Sequence, residues 1–231
     1  MEKINPYYDI NIKYQKELLW AQIFNDTIRD SEWLTKSSFS PGRWAAGYPM
    51  LYIIYRTLND IKPRNILEFG LGESSKLTSQ YASFHSDSKL EIIEQDPEWL
   101  NFICVNNQDL KNYVHIIPTV TGYFYYGEAN IYQNLLDFLQ TPKYDFIIID
   151  GPIGTPGFSR PQIIDIVEKG MLASDFVIIM DDYNRDGEKK TIEHLLNLLT
   201  LMQIEHFTHV YSGLKESIVI CSKNNRYLTS L

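Results

Sequence analysis

Two short segments end in carboxylates that could act together. One reads Ile-Ile-Ile-Asp150-Gly-Pro and the other Ile-Ile-Met-Asp181-Asp182-Tyr, so each apolar run is closed by aspartate. Such runs, without polar alternation, are what strands covered on both faces look like. Neighbouring strands lie about 4.8 Å apart, so if these two are adjacent the three carboxylates converge. They then repel one another unless a proton or a cation intervenes. With only oxygen ligands, and neither cysteine nor histidine beside them, the cation expected is a hard divalent ion such as Mg²⁺. That ion would hold two oxygens of a substrate, lower the pKa of a hydroxyl and aim it at its target. A plainer reading also stands, in which Asp181 and Asp182 cap the following turn and Asp150 only lines a pocket.

A second constellation reads Ile66-Leu-Glu68-Phe-Gly70-Leu-Gly72-Glu-Ser74-Ser75. Two glycines one residue apart after an apolar run suit a strand turning tightly into a helix, with the backbone close to a ligand. The third glycine of the dinucleotide fingerprint is missing, because Ser75 takes its position. Glu68 adds a negative charge, better suited to a cationic ligand than to a pyrophosphate. Glu94, 24 residues beyond Gly70, closes the next apolar run, where a carboxylate can take both hydroxyls of a ribose.

The elements that position these residues follow from periodicity. Tyr14, Leu18, Leu19 and Ile23 have helix spacing, and a second helix is expected over about 44–58, ended by Pro63. Strands are expected at 65–69, 90–93, 114–117, 144–149 and 176–180, with helices after 75, from Pro97 to 105, over 131–139 (Ile131, Leu135, Leu136, Leu139) and over 188–202. The last two strands, near 205–211 and 217–222, are too close for a crossover helix and form an antiparallel hairpin. The fold class expected is α/β: a doubly wound, mostly parallel seven-stranded sheet with a C-terminal antiparallel hairpin. Residues 1–60 would be a helical cap or lid on a unit spanning 61–231.

The Glu68-x-Gly70-x-Gly72 turn, the acid closing the next strand and the terminal hairpin together resemble the class I S-adenosylmethionine-dependent methyltransferases, over about residues 60–225. The resemblance implies cofactor contacts at Glu68, Gly70, Gly72, Ser74, Glu94 and Asp150. An Asp-Gly pair after the fourth strand and Asp-Asp-Tyr after the fifth are similar to the macrocin-type, metal-dependent sugar O-methyltransferases. That likeness implies Asp150, Asp181 and Asp182 as metal ligands, with Asp150 and Asp182 counted as catalytic. Two departures exist. Pro118-Thr-Val-Thr121 stands where many members have an acid near the adenine, and no lysine occupies the position of the catechol-type base. Metal-independent transfer, aminopropyl transfer and a binding module that has lost catalysis remain open.

Weaker signals complete the reading. Arg160 and Arg185 could grip an anionic group of the substrate, beside Tyr183. The aromatic run Tyr123–Tyr126 could stack on a ring, or pack against the fold or a second copy of the chain in a homodimer. Arg43 and Trp44 could belong to a lid. A net charge of −8 without a basic stripe argues against nucleic acid and leaves a small-molecule or glycan acceptor. No apolar run approaches the roughly 20 residues of a membrane span. Cys104 and Cys221 have no metal-ligand spacing, none of the five histidines lies in a ligand motif, and a cytoplasmic protein is expected.

Overall fold

The computed structural model describes residues 6–231 other than Arg43, Asn106 and Tyr126, with side chains from Asp9 onward. In chain order the elements are α1 (Pro6–Thr27), α2 (Tyr48–Arg56), β1 (Asn65–Phe69), α3 (Ser75–Phe84), β2 (Lys89–Glu94), α4 (Pro97–Cys104), β3 (Val114–Ile116), β4 (Thr119–Phe124) and β5 (Gly127–Tyr132). There follow α5 (Leu135–Phe138), β6 (Tyr144–Ile149), α6 (Gln162–Glu168), β7 (Leu172–Met180), α7 (Asp186–Leu201), β8 (Phe207–Ser212) and β9 (Glu216–Cys221). Seven strands form one sheet in the order β3-β2-β1-β6-β7-β9-β8. The first five run parallel, and β9 and β8 close the edge as the expected antiparallel hairpin.

Alternation along the buried strands divides the core in two. Ile66, Ile92, Phe146, Ile148, Val177, Ile179 and Val219 meet the side carrying α2 and Phe24 of α1. Leu67, Ile93, Ile147, Ile149, Ile178, Met180 and Ile220 meet α6 and α7. Both faces are thus covered, which is why these strands tolerate so little polarity. Helix starts are set locally. At α4, Asp96 accepts from the backbone N–H of Glu98 and of Trp99, and Pro97 occupies the first turn, where no N–H is needed.

The helix expected over 131–139 is corrected. Ile131 belongs to β5, paired antiparallel with β4 as a separate two-stranded hairpin, and only residues 135–138 are helical. Alternation over 119–132 puts Val120, Phe124, Ala129 and Ile131 on one face, opposite Thr119, Thr121, Asn130 and Tyr132. At the N-terminus, α1 forms where helix spacing expects it, yet Tyr14, Leu18 and Leu19 are exposed; Phe24 is buried in the helix and Ile28 just beyond its end. The second helix begins at Tyr48, behind Pro49, rather than at 44. Arg43 and Tyr126 lie outside the described residues; Trp44 is exposed.

Glu17 fastens α1 to the sheet. Its Oε1 accepts from the N–H of Tyr48 at the start of α2 (2.7 Å), and its Oε2 from Leu214 in the β8–β9 turn (2.8 Å). A Cβ on Gly213 would run into that same carboxylate. Replacing Glu17 by Ala strands both N–H groups and is expected to cost roughly 1–3 kcal/mol in a denaturant unfolding titration.

Candidate active site at the strand ends

Strand order reverses between β1 and β6, and the carboxyl ends of these strands carry both constellations. Gly70 has φ +91°, and a Cβ on it would lie 2.9 Å from the carbonyl carbon of Asp150, so the two strand ends meet backbone to backbone. Space beside Gly72 is open. Glu94 pins the turn: its Oε2 accepts from Leu71 N (2.9 Å) and its Oε1 from Gln95 N (2.7 Å) and Asp96 N (2.9 Å). Burial pushes the Glu94 carboxyl up, and these backbone N–H bonds pull it back. Three of its roughly four acceptor positions are used, which leaves one for a ligand hydroxyl.

Glu68 departs from expectation. It is fully buried and faces α3, accepting from the hydroxyls of Ser74 (2.6 Å), Ser75 (2.9 Å) and Thr78 (2.6 Å). Desolvation raises its pKa against those three bonds. Its carboxylate holds the start of α3 to β1, and the hydroxyl of Ser74 is engaged by it.

Asp150, Asp181 and Asp182 do converge, with carboxylate oxygens within 4.8 Å of one another. Two cations are already among them. Arg160 Nη2 lies 2.9 Å from Asp182 Oδ2 and 3.2 Å from Asp150 Oδ1, while Nη1 donates to the carbonyl of Asp181 at 3.0 Å. Lys215 Nζ reaches Asp181 Oδ2 at 3.0 Å and Asp182 Oδ1 at 3.5 Å, and Ser217 Oγ donates to Asp181 Oδ1 at 2.7 Å. Arg185 Nη1 adds a contact to Asp182 at 3.0 Å, and the buried Glu188 faces Arg160 Nε and Arg185 Nη1 at 3.9 Å each. Burial works against the charges of Arg160 and Lys215, but the surrounding aspartates outweigh it and hold both above their ordinary values. Burial, with Asp181 beside it, pushes Asp150 up to about 7.

The residues fit a divalent ion poorly as they stand. Mg²⁺ needs oxygens at about 2.0–2.1 Å in an octahedron. Asp181 already has a partner on each oxygen, and Arg160 Nη2 lies against both Asp150 and Asp182. Arg160 is correspondingly not free to grip a substrate: it is 5% exposed and turned inward. Arg160 and Asp182 are both non-glycine residues at left-handed φ, +58° and +59°, a strained conformation that persists when neighbours over-determine it. Arg185 is half exposed at the rim, and Tyr183 packs partly against the core.

Lys215 and Ser217 are not marked by their types or local spacing. The topology does carry a signal, since β9 runs antiparallel to β7 with Met180 opposite Ile218, which brings residues 215–217 beside Asp181. The β4–β5 hairpin covers the loop after Asp150. Asn130 Nδ2 donates to Ile153 O (2.8 Å), and Phe158 N to Glu128 O (3.0 Å). Phe124 packs edge-on against Phe158, Tyr125 lies against His194, and Tyr123 is exposed. A separate cleft of about 300 Å³ lies outside α3, between Trp33, Lys36, Gln80 and Asp109, away from these carboxylates.

No protein-family model matches the sequence, and no curated protein matches it. The fold is shared with solved methyltransferases. An O-methyltransferase from Bacillus cereus, in complex with S-adenosylhomocysteine, aligns over 90% of this chain and 91% of its own at 16% identity and a TM-score of 0.53. The O-methyltransferase TomG from Streptomyces achromogenes, in complex with S-adenosylmethionine and involved in tomaymycin synthesis, aligns over 89% and 98% at 13% identity and a TM-score of 0.55. A precorrin-6y C5,15-methyltransferase from Geobacter metallireducens aligns over 81% and 95% at 17% identity and a TM-score of 0.50.

Removing one partner of a buried ion pair strands the other's charge, at about 3–5 kcal/mol. Arg160→Met is therefore expected to lose that much in a denaturant titration at pH 8. Arg160 normally lowers the Asp150 pKa, so in the variant Asp150 protonates at a higher pH, and the loss is expected to shrink as pH falls towards about 7 and to stay level below it. A loss independent of pH would count against the pairing.

Proposed function

We propose that this chain is an S-adenosylmethionine-dependent methyltransferase acting on an oxygen of a small molecule. The observation that carries this reading is the turn Gly70–Gly72, pinned by Glu94 and abutting Asp150 at the reversal of strand order. Support comes also from the fold, which neighbours solved with S-adenosylmethionine or S-adenosylhomocysteine share. The backbone of the turn would take the methionine part of the cofactor, and the remaining acceptor position of Glu94 a ribose hydroxyl. A glycan hydroxyl is the acceptor suggested by the macrocin-like Asp-Asp-Tyr pattern.

Asp150 is the group suited to be the proton acceptor. Its side chain is 16% exposed, whereas those of Asp181 and Asp182 are 0% and 5% exposed and engaged by cations. Lys215 cannot serve, because its neighbours keep it protonated. In the step, the acceptor oxygen attacks the sulfonium methyl, the S–CH₃ bond breaks as the O–CH₃ bond forms, and the hydroxyl proton passes to Asp150. S-adenosylhomocysteine is left. Holding the two reactants in line is the chain's main contribution. Mg²⁺, expected from the carboxylates, would compete with Arg160 for the same oxygens, and this step needs no ion.

Within the N-terminal cap, the segment strapped along α3 is suited to close over the turn. Gln80 Oε1 accepts from the N–H of Thr35 and Lys36, and Glu73 from that of Ser40.

Release of S-adenosylhomocysteine from S-adenosylmethionine, measured over a panel of hydroxylated acceptors, tests the reading; no product above background with any acceptor would count against it. Glu94→Ala is expected to weaken S-adenosylhomocysteine binding by roughly 1–3 kcal/mol in calorimetry, the cost of a lost hydrogen bond to a charged group. Asp150 works as a base only when ionised, so kcat/KM should rise with pH through about 7. Asp150→Asn is expected to lower kcat roughly 100- to 10,000-fold and to flatten that rise.

A further inference from the structure

The carboxylate trio has the composition of a divalent-ion site, but its surroundings do not. A guanidinium fully enclosed by carboxylates and carbonyls uses its donors in a fixed fork. Here Nε points to Pro152 O (3.4 Å), Nη1 to Ile149 O (3.4 Å) and Asp181 O (3.0 Å), and Nη2 to Asp182 and Asp150. Lys215 covers the remaining side, between Asp181 and Asp182. A divalent ion at 2 Å from these oxygens would sit against both cations, with strong repulsion in a buried setting. To enter, it would have to expel the Arg160 guanidinium from its contacts with Asp150, Asp182 and the carbonyl of Asp181.

We propose that Arg160 and Lys215 replace the divalent ion, so that the Asp150–Asp181–Asp182 cluster is compensated by the chain itself and binds no metal. This rests on the methyltransferase reading only in what it says of the acceptor. An ion would chelate two neighbouring oxygens, whereas a buried guanidinium with no donor to spare cannot. The acceptor therefore needs only its one nucleophilic oxygen, and an adjacent hydroxyl is not required. The cations act by position: they hold the three carboxylates together and leave Asp150 the exposed member.

The test is a Mn²⁺ titration of the full chain followed by electron paramagnetic resonance. The free-ion signal is expected to stay undiminished at equimolar protein. The double variant Arg160→Met/Lys215→Met, which leaves only Arg185 at the rim against the three carboxylates, is expected to take up Mn²⁺, and Asp181→Asn in that background to release it. Stoichiometric Mn²⁺ uptake by the wild-type chain, abolished by Asp182→Asn, would overturn the proposal. The wild-type titration decides the matter even if the double variant does not fold. Calorimetry with S-adenosylhomocysteine on the same wild-type preparation tests the methyltransferase reading separately. Mn²⁺ uptake with intact S-adenosylhomocysteine binding would sink the present proposal alone.

Discussion

The guanidinium of Arg160 is the contact on which the rest of this site depends. It touches the end of β6 through Ile149 O and Asp150, the end of β7 through Asp181 O and Asp182, and the start of α7 through Glu188. Parallel strands bring like-charged ends together whenever each ends in an acid, and the cost of that crowding grows as water is excluded. A planar, always-charged group with five donors is the side chain best able to meet it. The chain accepts backbone strain at Arg160 and Asp182 to secure this geometry.

A similar division of labour governs the glycine turn. Glu68 works from behind, gathering three hydroxyls of α3, and Glu94 works from the side through backbone N–H groups. Both are buried acids: Glu68 takes its donors from the start of α3, and Glu94 from Leu71 in the turn and from Gln95 and Asp96 after β2. Between them the N–H groups of Gly70, Leu71 and Gly72 are held by Ile93 O, Glu94 and Ser75 Oγ, with room on the side of Gly72 and none on that of Gly70. Rigid support of the turn is what close approach of a ligand demands.

Much of this was legible in the residues. Runs such as Phe146–Ile149 and Phe176–Met180 can only be strands covered on both sides, and alternation with helices orders them in parallel, so convergence of Asp150 with Asp181 and Asp182 follows. What hid was directional or long-range. Glu68 reads as a ligand contact until its place on the α3 face, alternating with Leu67, turns it inward. Ile131, Leu135, Leu136 and Leu139 fall at helix spacing, while the β4–β5 hairpin alternates with residues too polar to betray it. Lys215 comes from a turn 33 residues beyond Asp182, and nothing local marks it; only the antiparallel return of β9 does.

A crystal structure of the chain with S-adenosylhomocysteine, grown in Mg²⁺, tests the central claim most directly. Expected are the ribose at Glu94, the homocysteine along Gly70–Gly72, the sulfur facing Asp150, and Arg160 still between Asp150 and Asp182. A nucleoside bound away from this turn, or Mg²⁺ among the three aspartates with Arg160 displaced, would contradict it.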